Sequence, residues 1–156
     1  MNRRRIGKVI VGLCVAMAAS SAWADSGAFV GRWHWNRAQS TPPPGEPVPN
    51  DVTVEISRAD GAHVKWSLTV LSSQGQPNVE TFDVVANGEF YPISVDTTAA
   101  FRLNENTLQA TFKGPAGQTD DLTCTVAADQ KKMTCKGVLS DGASRVTNYV
   151  DVFDRM

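Results

Sequence analysis

Few side chains in this sequence are of types that do chemistry, and their spacing shortens the list. His34 and His63 are the two histidines, 29 positions apart in separate segments. An imidazole works as a general base or a metal ligand only beside a nucleophile, an orienting carboxylate or further ligands. Alternation puts both on the polar side of their segments, so they read as surface residues. Asp120 and Asp121 are carboxylates of the kind that share acid–base work, but neighbours along a strand point to opposite faces. They read as a solvated turn. The chain has no G-x-S-x-G, no H-E-x-x-H, no Gly-rich phosphate loop and no EF-hand spacing. The sequence therefore assigns no catalytic residue, no metal site and no cofactor, and points away from an enzyme.

Cysteine supplies the remaining reactive group. Cys124 and Cys135 flank a polar run, Ala128-Asp129-Gln130-Lys131-Lys132, between two alternating segments. A hairpin centred on Asp129-Gln130 pairs positions summing to 259, which sets Val126 against Met133 and Cys124 against Cys135. Directly opposed antiparallel residues have Cα atoms roughly 4.5–5.5 Å apart, within the span of a disulfide. A redox role has little support, since the spacing is not Cys-x-x-Cys. The pair reads as a structural staple.

The third cysteine, Cys14, falls in what reads as an export leader. Residues 1–8 are basic, residues 10–19 form an apolar run of about ten, and Ala22-Trp23-Ala24 offers small residues where a signal peptidase cuts. A membrane-spanning helix needs roughly 20 apolar residues, about twice this run. Leu13 before Cys14 argues against lipidation. Cleavage after Ala24 is expected, which places the mature chain, residues 25–156, in the periplasm or outside the cell. Arg3, Arg4, Arg5 and Lys8 leave with the leader, so 11 basic residues remain against 16 acidic ones, a net charge of −5. An acidic chain without a basic block offers no footprint for phosphate backbones, and nucleic acid is excluded as a partner. A length of 132 residues suits a single domain.

The elements that must position these residues have a period of two. Val52, Val54 and Ile56 alternate with Thr53, Glu55 and Ser57, and Val64, Trp66, Leu68 and Val70 alternate with polar neighbours. Phe82, Val84 and Ala86 share a face, as do Ala99, Phe101 and Leu103, then Leu108, Ala110 and Phe112, then Leu122, Cys124 and Val126. In the last segment Val146, Asn148, Val150 and Val152 make the apolar parity. Short turn-like breaks separate the segments, among them Asp60-Gly61, Asn87-Gly88 and Asp141-Gly142, and each is hairpin-sized. With no helical face anywhere, the expected fold is all-β: an antiparallel up-and-down meander of eight to ten strands. Such a meander closes into a barrel because closure removes its unpaired edges. Runs of five to eight residues are short for a lipid-spanning strand, and Glu55, Lys65, Arg102 and Lys136 on the polar face are costly against lipid. The apolar face is therefore expected inside, without integral membrane insertion. The Pro-rich stretch 41–50 is expected to be a loop over one barrel end.

The opening run Phe29-Val30-Gly31-Arg32-Trp33 reads F-x-G-x-W and resembles the first strand of the calycins, the lipocalins and fatty-acid-binding proteins. Asn36, Ser40, Tyr91-Pro92-Ile93 and Asp154-Arg155 extend the similarity to secreted bacterial lipocalin-like domains. The resemblance implies a lipocalin-like barrel in which Gly31 bends the chain, Trp33 plugs the closed end and Arg155 packs over Trp33. It does not carry over a fatty-acid headgroup clamp. Fatty-acid-binding proteins use Arg-x-Tyr in the last strand, whereas here Arg145 and Tyr149 are four apart with Thr147 between.

What such a fold offers is binding. An interior of about eight strands is either filled by side chains or holds one small ligand. Trp66, Phe82, Phe101 and Phe112 are the residues expected to line it, with Asn148 as a polar group on an otherwise apolar parity. Two classes of function stand: a carrier of a small apolar ligand, and a module that binds a secreted or periplasmic protein, such as an inhibitor of a secreted hydrolase. A filled structural barrel is the bland alternative.

Overall fold

The computed structural model describes residues 27–61 and 63–156. The leader with Cys14 and its cleavage site, and Asp25 and Ser26 after it, lie outside the described residues. Ten strands follow one another: β1 (Gly31–Trp35), β2 (Asp51–Ala59), β3 (His63–Leu71), β4 (Pro77–Val85), β5 (Tyr91–Pro92), β6 (Thr98–Asn104), β7 (Thr107–Lys113), β8 (Thr119–Val126), β9 (Lys132–Ser140) and β10 (Val146–Arg155). They form one antiparallel sheet in the order β4-β3-β2-β1-β10-β9-β8-β7-β6-β5. Pairing of β1 with β10 rolls the meander into a nearly closed barrel.

One break departs from expectation. Asn87-Gly88 is not a hairpin: β5 pairs only with β6, so the ladder is interrupted between β4 and β5. Gly88 instead turns back toward β6, its N–H donating to the Phe101 carbonyl at 2.8 Å. Side chains span the interruption. Phe82 of β4 lies 5.6 Å from Phe101 and 6.1 Å from Phe112, centroid to centroid, across the missing ladder. Rings at these separations add roughly 0.5–1.5 kcal/mol per pair beyond their burial.

The apolar face points inward. Val54, Ile56, Val64, Phe101, Leu108 and Met133 are buried, whereas Glu55, Lys65, Arg102 and Lys136 are exposed. A bulge between Ile56 and Arg58 returns Ala59 to the interior at the end of β2. Cys124 and Cys135 face each other across β8 and β9 and form a disulfide inside the barrel.

One end is plugged. Trp33 is fully buried, its indole donating to the Phe29 carbonyl at 2.8 Å. The Arg155 guanidinium lies 4.1 Å over its ring and donates to the carbonyls of Ala28, Val30 and Gln130. Gly31 has φ of +145°, and a Cβ there would collide with that guanidinium. Only glycine serves both demands.

Candidate functional site

The other end of the barrel is hollow. Where β2 and β10 begin and β3 and β7 end, the inward side chains stop short of one another and leave a cavity of about 240 Å³. Its apolar wall includes Val52, Val54, Trp66, Leu68, Phe82, Phe112, Leu122 and Phe153, and Pro49 of the Pro-rich segment covers part of it. That segment is held as a loop by the Thr41–Val150 bridge and by the Asn50 N–H donating to the Leu71 carbonyl at 2.8 Å. Cys135 brings the disulfide to the wall.

Three of the four aromatics expected inside meet here. Trp66 and Phe82 stack at 6.2 Å, and Phe112 stands edge-on to Phe82. Phe101 is fully buried but does not reach the cavity: it backs the wall, 6.4 Å from Trp66 and 5.8 Å from Phe112. His34 and His63 lie outside the barrel, facing Asp51 at 2.9 Å and Asp83 at 3.1 Å.

Asn148 is a correction. Its side chain is exposed on the outer face, and the parity of β10 is the reverse of that expected: Thr147, Tyr149, Asp151 and Phe153 point inward. The valines misled because outward Val150 and Val152 are covered by the chain that follows β1. Thr41 bridges Val150, and the Asn36 N–H donates to the Val152 carbonyl at 2.7 Å. Burial by a covering segment makes an outer face apolar without making it the interior.

The second correction is Asp120. It is not part of a solvated turn; β8 turns it into the cavity while Asp121 faces out, donated to by Thr111 at 2.7 Å. Parity points there too, since Asp120 shares its face of β8 with Leu122. Tyr149 reaches Asp120 across the barrel wall and donates to its carboxylate, the hydroxyl lying 2.9 and 2.8 Å from the two oxygens. Gly137, opposite Tyr149 in β9, makes this geometry available, because a Cβ there would collide with the tyrosine ring. Asp151, one turn of the pleat along β10, accepts from the Trp35 indole at 2.8 Å. Glu80 stands at the rim.

Electrostatics follow from this placement. Burial pushes the Asp120 carboxyl above the ordinary carboxylate range, against the lowering effect of the Tyr149 hydrogen bond, and Asp121 and Asp151 push it further. Burial raises Asp151 as well, with the Trp35 indole opposing. The Tyr149 phenol is driven far up, first by burial and then by Asp120, so it remains a proton donor. Among the described residues no Lys, Arg or His lines the cavity. The walls are thus oily, with carboxylates on two sides and no resident countercharge.

No protein-family model matches the chain, and no curated protein matches it. Solved structures do. The fluorescent protein UnaG is 16% identical with a TM-score of 0.55, over 82% of this chain and 97% of that one. A zebrafish ileal bile acid-binding protein complexed with cholic acid is 14% identical with a TM-score of 0.52, over 83% and 99%. The redesigned β-barrel mFAP1, bound to DFHBI, is 12% identical with a TM-score of 0.51, over 85% and 99%. At such identities the likeness is one of fold: the described chain is an antiparallel meander barrel, as these are.

Proposed function

We propose that the mature chain is an exported, non-enzymatic binding protein, akin to secreted bacterial lipocalin-like domains, that holds one small apolar ligand in the barrel. The observation that carries the reading is the 240 Å³ cavity walled by Trp66, Phe82, Phe112, Leu68 and Leu122. A well-packed core leaves few voids larger than a water molecule, so a hollow of this size with an oily lining is a place for an occupant. Two barrels of similar fold were solved around organic ligands, cholic acid and DFHBI. Export rests on the leader sequence, with cleavage after Ala24 into the periplasm or beyond, and a disulfide suits that oxidising setting.

Titration with the neutral dye Nile red tests the reading. One dye bound per chain, and loss of binding in Leu68→Trp, which puts a larger side chain into the hollow, is the expected outcome. Absence of binding to the unaltered chain, or equal binding to Leu68→Trp, would overturn it. Native mass spectrometry of protein taken from the periplasm of its source separates the classes further: a retained small mass supports the carrier, and a co-purified protein supports a protein-binding module.

A further inference from the structure

Resting on the reading of the hollow as a ligand site, the geometry points to the class of ligand: an apolar amine, bound as its ammonium, with the hydrocarbon body on Trp66, Phe82 and Phe112 and the charge between Asp120 and Asp151. The wall argues for this in two ways. First, its ionisable groups are of one sign. Glu80, Asp120 and Asp151 contribute carboxyls, and no cationic side chain lines the space among the described residues. A ligand carboxylate entering here meets like charge in a partly desolvated site, where repulsion is far stronger than in water. Second, the partners that Asp120 and Asp151 have are neutral donors, the Tyr149 hydroxyl and the Trp35 indole. Each carboxylate keeps lone pairs unused, and a buried charge without an opposite charge is costly until one arrives. A primary ammonium brings three donors and that charge.

The same aromatic trio that supplies the hydrocarbon contact also presents ring faces of the kind that attract ammonium groups.

Displacement of Nile red by three molecules that differ only at the head, 4-phenylbutylamine, 4-phenylbutanol and 4-phenylbutanoate, decides the matter at pH 7. The amine is expected to displace the dye at a concentration at least about tenfold below the alcohol, and the alcohol below the carboxylate. In Asp120→Asn/Asp151→Asn, where both amides still accept from Tyr149 and Trp35, the amine-to-alcohol ratio is expected to fall toward one. The ratio is the readout, so a variant that merely loosens the barrel weakens all three together and leaves it unchanged. Equal or better displacement by the carboxylate, or a ratio unmoved in the double variant, overturns the ammonium assignment while leaving the cavity reading intact. Failure of Nile red itself to bind removes the cavity reading, and this inference with it.

Discussion

Tyr149→Phe is the substitution whose consequences the structure fixes most closely. It deletes one oxygen, and with it the donor lying 2.8 and 2.9 Å from the two oxygens of Asp120. Ring packing over Gly137 is retained. A hydrogen bond to a charged group contributes about 1.5–3 kcal/mol net, and the site's partial exposure trims this to about 1–2 kcal/mol. The cost must depend on pH. Burial already holds the Asp120 carboxyl above its ordinary range, and the Tyr149 bond is what opposes that rise. A carboxyl whose folded pKa lies above its unfolded value of 3.8 contributes stability at pH below 3.8, and this is lost as pH rises through the folded value. Removing Tyr149 raises the folded value further, so the variant's deficit is expected to be small near pH 3.5 and to reach the full 1–2 kcal/mol or so at pH 7. Urea denaturation of both proteins at the two pH values measures it, and a double-mutant cycle with Asp120→Asn isolates the pair. A deficit equal at both pH values, or larger in acid, would refute the assignment of Asp120 as an inward carboxylate held by Tyr149.

Other expectations follow from the plugged end and the turns. Arg155→Met removes three carbonyl contacts and the ring-stacked cation, and is expected to lower stability by about 2–3 kcal/mol in chemical denaturation. Phe101→Ala, which empties a fully buried position behind the cavity wall, is expected to cost about 3–5 kcal/mol by the same assay. Gln130 sits at φ of +56° in the turn joining β8 and β9, so Gln130→Gly is expected to stabilise by about 0.5–1 kcal/mol, read as a higher melting temperature. Reduction of Cys124–Cys135 is expected to lower the denaturation midpoint by the equivalent of about 2–3 kcal/mol without changing the circular dichroism of the folded protein.

Most of the barrel was legible because eight strands bury one face against a common core and expose the other. Where that holds, parity alone finds the inside, and Trp66, Phe82 and Phe112 could be named from it. The disulfide was legible for the same reason, since a hairpin centre fixes every opposing pair. The last strand failed because its two faces have other tasks. Its outer valines lie under the strap after β1, and its inner residues line a hollow and include Tyr149 and Asp151. A clue was present all the same. Arg155 over Trp33 requires the odd-numbered positions of β10 to face inward, which excludes Asn148. The interrupted ladder at Asn87-Gly88 was hidden, because a turn signal specifies a reversal of the chain and says nothing about whether the flanking strands then pair.

The proposed binding function requires above all that the interior of the barrel be a place where a small molecule sits. Methyl-resolved NMR during titration with whichever of the three phenylbutyl compounds binds tightest reads that location directly. Shifts are predicted for Val52, Leu68 and Leu122 around the hollow, with Ile56 and Val64 at the plugged end unmoved. Shifts confined to outward methyls such as Val79, Val138 and Val146, or none at saturating concentration, would contradict it.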